Sequence, residues 1–208
     1  MKGIRNVMKW TSNEYLYTSI NEFLTSNNIT DTVNLKAICK KYDWALLPYD
    51  YRYMKQLYEI SPDGFTAYQN DKYYIMYTLI SSIQGNHRQR FTIAHEIGHI
   101  VLNHHKYIDN NILRCYNSPY KPIWEKQADI FAQNLLMPAS RTRELKDKMT
   151  IDELAKHFKV SRTMATVRLQ KLREDELNFR RLKTRETLNV AEQYSSYFFN
   201  NVDNYLQI

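Results

Sequence analysis

The stretch RFTIAHEIGHIVLNHH, residues 90–105, decides the fold. It carries His95 and His99 four positions apart, with Glu96 between them. Residues four apart on an α-helix lie on nearly the same face, so both imidazoles can bind one ion. Glu96 is turned about 100° away, where it can take a proton from a water activated by the metal. The pattern is HExxH, with two zinc ligands and one general base.

The residues around this motif predict a buried helix. The apolar positions that would bury it are Phe91, Ile93, Ala94, Ile97 and Ile100. Gly98 is a poor helix former inside the motif, so we expect another backbone to approach the helix closely there. Burial would keep the metal site dry, where zinc lowers the pKa of a bound water toward about 7.

The third protein ligand has two candidates, and His105 is the first. It follows His99 by six positions, the spacing of the third histidine in HExxHxxGxxH proteases. That geometry needs positive φ three residues after the second histidine, which glycine adopts easily, and Leu102 stands there. The alternative is that His104 and His105 are polar residues at a helix C-terminus, where their partial charge suits the helix dipole.

The second candidate is Glu125, in the segment WEKQADIFAQNLLMP, residues 124–138. Asp129 follows one turn later on the same helical face, where it could accept a hydrogen bond from a ligating histidine. This ExxxD arrangement resembles the ligand helix of thermolysin-like gluzincins. The alternative is that both carboxylates merely lie on the solvated side of an amphipathic helix.

Together the two segments resemble the ImmA/IrrE family of metallopeptidases, whose pattern is an RFTxAHExGH helix followed by an ExxAxxFAxxLLMP helix. The likeness covers roughly residues 65–140. It implies a gluzincin-like zinc site with His95, His99 and Glu125 as ligands and Glu96 as base. It also implies a substrate class, helix-turn-helix repressors that are cut to switch on genes of mobile elements or stress responses.

The residues before the motif predict a helix pair and a small sheet. Residues 11–28 and 33–43 have helical spacing, and Ser12 or Asn13 could cap the first helix. WALLPYD, GFTAYQ and YYIMYTLI predict short strands, separated by the turn signals SPDG and QNDK. We therefore expect an α+β fold with a mainly helical zincin-like core. YYIMYTLI could hold an extended substrate by β-addition or serve as a core strand.

The segment MTIDELAKHFKVSRTMATVRLQKL, residues 149–172, predicts a helix-turn-helix. Candidate contacts to base edges are Ser161, Arg162, Thr163 and Thr166, and candidate phosphate contacts are Arg168 and Lys171. The alternatives are a packing unit that binds no DNA, as similar segments can be in the family, or a surface that docks the repressor. The amphipathic tail after residue 186 could pack on the core or form a dimer contact.

Charge and length set the domain organisation. The 208-residue chain has a net charge of +7, and residues 141–186 hold fourteen Lys or Arg against eight Asp or Glu. We expect a metallopeptidase domain over residues 1–145 and a helix-turn-helix-like region with its tail over 146–208. No apolar run approaches the roughly 18 residues of a membrane span, and no secretory signal precedes the first helix, so we expect a cytoplasmic protein. The two cysteines, Cys39 and Cys115, are expected to be reduced.

Two functions remain in view. The first is a zinc endopeptidase that cleaves a transcriptional repressor at one site. The second is a DNA-binding regulator whose metal site is structural or vestigial. A structural zinc site closes with four protein ligands and needs no base, so Glu96 and the lack of an obvious fourth ligand favour the enzyme. The donor that would stabilise an oxyanion could be Tyr116, Tyr120 or His87, and the sequence does not choose among them.

Overall fold

The computed structural model describes residues 12–50, 52–53, 63–79, 83–107 and 121–205. In this part of the chain seven α-helices accompany one three-stranded sheet, so the expected α+β, mainly helical fold is confirmed. The elements in chain order are α1 (Asn13–Ser26), α2 (Leu35–Lys41), β1 (Ala45–Tyr49), β2 (Gly64–Gln69), β3 (Lys72–Thr78), α3 (Ile83–Val101), a 3-10 turn (His104–Tyr107), α4 (Lys121–Leu136), α5 (Ala139–Leu145), α6 (Ile151–Phe158) and α7 (Arg162–Tyr205).

The three strands form where the sequence predicts them, in the order β1-β3-β2. β2 and β3 are an antiparallel hairpin closed by Asn70 and Asp71, with φ of 51° and 58°. Two successive residues with positive φ match the twist of a two-residue hairpin, and Asn and Asp tolerate this conformation. This is why QNDK predicts the turn correctly. β1 pairs with β3 in parallel, and its exposed Pro48 suits an edge strand because proline cannot donate to a ladder.

The position of β3 decides between the two interpretations of this strand. Ile75 of β3 pairs with Leu46 on one side and with Thr66 on the other, so the strand has neighbours on both sides. A strand in the middle of a sheet has no free edge, and YYIMYTLI is therefore a core strand that cannot hold a substrate by β-addition. Among the described residues, β2 has a strand neighbour on one side only.

The helix that carries the motif, α3, packs against β2, β3 and α4. Its apolar positions lie in one hydrophobic core with α1, α4 and α6, to which Ile20, Ile97, Phe131 and Phe158 contribute. A Cβ added at Gly98 would lie 3.2 Å from the Cα and the carbonyl oxygen of α4 residue Ala128. The predicted close approach of another backbone at this glycine is therefore confirmed, and that backbone belongs to α4.

Two helices meet at a short turn in the C-terminal region. A capping box between Thr150 and Glu153 starts α6, and Lys159 ends it with φ of 56°. The predicted cap of the second helix is confirmed, because the Ser161 hydroxyl accepts the backbone N–H of Met164 at 3.1 Å. From there α7 continues to Tyr205 without a break, since no glycine or proline interrupts residues 162–205. The side chains of the tail lie outside the described residues.

A buried polar cluster fastens α7 to α1 and α4. The Arg168 guanidinium donates to the Met137 carbonyl at 2.8 Å, to the Asn134 side-chain oxygen at 2.9 Å, and to Asp175. Tyr17 of α1 donates its hydroxyl to the same Asp175 carboxylate. Because the buried charges are paired and bonded, the cluster holds the start of α7 in one position.

No helix among the described residues is long and apolar enough to cross a membrane.

Candidate metal centre

Three side chains from α3 and α4 converge on one point. The Nε2 atoms of His95 and His99 lie 3.0 Å apart. Glu125 of α4 places Oε2 3.3 Å from His95 Nε2 and Oε1 3.8 Å from His99 Nε2. Among the described residues these three form the group of potential ligands that could hold a metal ion. The contact between Gly98 and Ala128 brings the two helices close enough for this convergence.

The donor set fits a zinc ion. Tetrahedral zinc with bonds of about 2.0–2.1 Å holds its ligand atoms about 3.3 Å apart. The three separations of 3.0, 3.3 and 3.8 Å lie around that value. Two imidazole nitrogens and the oxygens of one carboxylate at such distances need a hydrogen or a metal cation between them, because their lone pairs otherwise repel one another.

His95 is held by a carboxylate on its far side. Its Nδ1–H donates to Asp129 Oδ1 at 2.9 Å, which leaves Nε2 directed at the convergence point. Burial by itself lowers the pKa of His95, but the hydrogen bonds with Asp129 and Glu125 outweigh it and raise the pKa to about 10. The raised pKa expresses the same demand for positive charge at Nε2, where a metal ion would replace a proton.

His99 has a different partner on its far side, the buried residue His104. Their Nδ1 atoms lie 2.8 Å apart, and His104 Nε2 lies 3.2 Å from the side-chain oxygen of Gln127 on α4. Burial, together with the neighbouring His95 and His104, holds the pKa of His99 well below its usual range. Burial also lowers the pKa of His104 to about 3, which the hydrogen bond with Gln127 opposes only in part.

This placement corrects the interpretation of His104 as a polar residue at a helix C-terminus. The residue is 1% exposed, and its ring stacks on Trp124 with a centroid distance of 5.6 Å. The cause is local, because α3 ends at Val101 and Asn103 then adopts φ of 56°. A left-handed residue after a helix reverses the chain, and here it turns His104 back toward His99.

The general-base candidate, Glu96, is buried beside the triad. The hydroxyl of Thr66, on β2, donates to Glu96 Oε2 at 2.8 Å. Burial raises the pKa of Glu96, and the opposing effects of His95 and of the Thr66 hydroxyl do not cancel that rise. A carboxylate with a raised pKa is a better proton acceptor near neutral pH than an ordinary glutamate.

The site opens on its α4 side. The side chains of Glu125 and Asp129 are 41% and 47% exposed, whereas the two imidazoles are mostly buried. Both carboxylates therefore face solvent in part, as the solvated-helix alternative expected, while also contacting the histidines.

The structure does not bring His105 to the triad. Its ring nitrogens lie 3.0 and 2.5 Å from the hydroxyl of Tyr73 on β3, and the ring packs beside Tyr68. Leu102 is fully buried, and Asn103 rather than Leu102 takes the positive φ. The chain direction needed for an HExxHxxGxxH site is therefore not formed.

Of the three candidate oxyanion donors, only His87 lies among the described residues. Tyr116 and Tyr120 lie outside the described residues. His87 is on α3, partly exposed, about two turns before His95. Eight residues of α-helix span about 12 Å, so His87 lies too far along α3 to contact His95 directly.

One proposed DNA contact is wrong. Arg168 is 0% exposed, and its guanidinium is engaged by Asp175, Asn134 and the Met137 carbonyl. A phosphate cannot reach a side chain that is closed inside the core. The helical spacing that groups Arg168 with Lys171 does not reveal that this part of α7 faces α4.

The other candidate DNA contacts lie at the start of α7. Ser161 is used as the helix cap, and Arg162 pairs with Asp152 of α6. Thr163 is exposed, and Thr166 bonds back to the Arg162 carbonyl through its hydroxyl. Lys171 is partly exposed.

Three residues of the site were not found from the sequence. Thr66 on β2, His104 after α3 and Gln127 on α4 each contact a motif residue or its partner. For His104 a signal existed, because Asn103 tolerates the left-handed conformation that ends helices. Gln127 and Thr66 offered none, since their contacts join distant parts of the chain.

The comparisons with known proteins identify the family of the chain. A family model described as Peptidase_M78, IrrE N-terminal-like domain, matches residues 53–170. The matched residues include α3, α4 and the turn between α6 and α7. No curated protein matches the chain. Because the family match covers more than half of the sequence, the chain belongs to the ImmA/IrrE (Peptidase M78) family and carries its metallopeptidase-like domain.

Proposed function

We propose that the protein is a zinc-dependent endopeptidase that cleaves a helix-turn-helix transcriptional repressor at one site and so derepresses mobile-element or stress genes. His95, His99 and Glu125 bind the metal, and Glu96 is the general base. The observation that carries the proposal is the convergence of three ligand atoms within 4.8 Å of one another, next to a buried carboxylate.

The ligand set supports a catalytic rather than a structural ion. Two histidines and one carboxylate are typical of catalytic zinc, which keeps a further position open, whereas structural zinc closes with four protein ligands. The described residues supply three. When bound, zinc would activate a water molecule and polarise the scissile carbonyl.

Glu96 moves the proton. The Thr66 hydroxyl donates to Oε2 and so orients the carboxylate, which takes a proton from the attacking water. Glu96 then passes this proton to the nitrogen of the leaving amine. Burial supports both steps, because a raised pKa brings the acid and base forms of Glu96 closer in free energy near neutral pH.

The edge of β2 is the proposed place for the substrate backbone. Thr66 lies on this strand and contacts the base, so a peptide added alongside β2 would pass the triad. An extended segment can bond to an edge strand through its own backbone groups, and among the described residues β2 has a strand neighbour on one side only. This assignment replaces β3, which has strands on both sides.

The repressor substrate is proposed from the ImmA/IrrE resemblance, and cytoplasmic action is proposed because repressors act there. The α6–α7 unit contributes a docking surface more readily than a DNA reader. Ser161 caps a helix, Arg162 pairs with Asp152 and Arg168 is buried, so three of the predicted DNA contacts already have partners within the protein.

The test is a cleavage assay with zinc-loaded protein and the helix-turn-helix repressors encoded near its gene, read by gel and intact mass. We expect one cut in one repressor. Glu96→Gln should abolish the cut while one zinc per chain remains bound, and Glu174→Gln, a matched change at an exposed position of α7, should cleave like wild type. Cleavage by Glu96→Gln at the wild-type rate would refute the proposed role of the base.

A further inference from the structure

Each ligating histidine needs a partner for the ring nitrogen that does not face the metal. The partner fixes which nitrogen carries the proton and how the ring is oriented. For His95 that partner is Asp129, at 2.9 Å. For His99 it is another histidine, His104, at 2.8 Å. A histidine can present either a donor or an acceptor, so something must fix its own tautomer.

Gln127 settles the direction of the chain of hydrogen bonds. Its side-chain oxygen can only accept, and it lies 3.2 Å from His104 Nε2, so that nitrogen carries the hydrogen. His104 Nδ1 is then bare and accepts from His99 Nδ1–H. His99 Nε2 is bare in turn and directs its lone pair at the triad.

We propose that His104, held in one tautomer by Gln127, is a positioning residue that orients His99 for metal binding. This inference rests on the proposed metal site. The relay is neutral along its whole length, unlike the carboxylate behind His95. The two histidines have different kinds of partner because the two positions differ in burial. The Asp129 side chain is 47% exposed, whereas His104 is 1% exposed. A carboxylate at the buried position would place an additional negative charge in the core.

The local structure supports a built relay. Asn103, with φ of 56°, turns the chain so that the His104 ring lies within hydrogen-bonding distance of His99 Nδ1. The stack on Trp124, with ring planes 18° apart, holds the His104 ring from the other side. Trp124 and Gln127 are three residues apart on α4 and both buried. The helix that supplies Glu125 thus also supports both histidines, directly for His95 and through His104 for His99.

The first test is zinc affinity, measured by competition with a chromophoric chelator. Gln127→Met removes the acceptor for His104 Nε2–H and has a similar side-chain volume. His104→Phe removes the acceptor for His99 Nδ1–H and keeps an aromatic ring against Trp124. Both should weaken zinc binding about 10- to 100-fold, the usual effect of losing such a partner. His105→Phe, next to His104 but outside the relay, should bind zinc like wild type.

The second test reads the tautomers directly, by long-range proton–nitrogen NMR of the imidazoles in the wild-type protein. We expect His104 with its proton on Nε2 and His99 with its proton on Nδ1. A proton on His104 Nδ1 would overturn the proposal, and so would unchanged zinc affinity in Gln127→Met. Absence of zinc from the wild type would instead refute the proposed function, and the NMR of the metal-free protein would then still decide the His104 tautomer.

Discussion

The spacing of α3 and α4 at Gly98 gives the most direct test of how the site is assembled. In Gly98→Ala the added Cβ would lie 3.2 Å from the Ala128 Cα and 3.2 Å from the Phe131 Cβ. Carbon atoms in good contact are about 3.5–4.0 Å apart, so the helices must separate by about half an ångström. The proposed ligand Glu125 is on α4, and the two proposed histidine ligands are on α3.

This displacement should weaken metal binding without unfolding the protein. Overpacking costs about 1–3 kcal/mol, but alanine is favoured over glycine inside a helix by about 1 kcal/mol, so the net loss in the free energy of unfolding is about 0–2 kcal/mol. Metal sites tolerate deviations of only about 0.2 Å in ligand distance. We therefore expect the zinc dissociation constant to rise about tenfold, which corresponds to about 1.4 kcal/mol.

The assay pairs a chelator competition for zinc with thermal unfolding of the metal-free protein. Ala165→Val overpacks a fully buried position on α7, a helix that supplies no ligand, and should lower stability while leaving zinc affinity unchanged. Zinc affinity within twofold of wild type in folded Gly98→Ala would show that the spacing of α3 and α4 does not set the position of Glu125.

Three further changes have defined outcomes. Asp129→Asn exchanges an anionic partner of a ligating imidazole for a neutral one and should weaken zinc binding about tenfold or more in the same competition assay. Arg168→Met leaves the buried Asp175 carboxylate without its cation, so urea unfolding should show a loss of about 3–5 kcal/mol, and a loss below 1 would contradict the described network. Burial raises the pKa of Asp31, but hydrogen bonds from His157 and two other donors lower it overall. A carboxyl with a lowered folded pKa stabilises the fold above its unfolded pKa of about 3.9 and loses that effect as the pH falls further, so Asp31→Asn should flatten the acid side of stability measured against pH.

The motif helix and its neighbours could be predicted because their signals are local. Helical spacing predicted α3 and α4, and Ser161 predicted the start of α7. Gly98 predicted the close approach of a second backbone. Each of these depends on residues within about one helical turn or on the absence of a single side chain. The hairpin at QNDK is local in the same sense, since two residues with positive φ determine it.

The features that the sequence misassigned or left open have a different origin. Arg168 is spaced like a surface residue of a DNA-reading helix, yet it is buried against Asn134, which is 34 positions away in the chain. The strand YYIMYTLI has the composition of an edge or a core strand alike, and only the pairing with β1 and β2 decided between them. The expected boundary between residues 145 and 146 stays a prediction, and the family match runs across it to residue 170.

The sequence by itself determined the chemistry that is possible here, because HExxH on a helix fixes two imidazoles and a carboxylate relative to one another through backbone geometry alone. Tertiary structure decided how those groups are supported. The contacts of Glu96 with Thr66, of His95 with Asp129 and of His104 with Gln127 join residues 30, 34 and 23 positions apart. Such contacts exist only after the sheet, α3 and α4 have packed, since the direction of a polar side chain depends on which partner the fold brings within hydrogen-bonding distance.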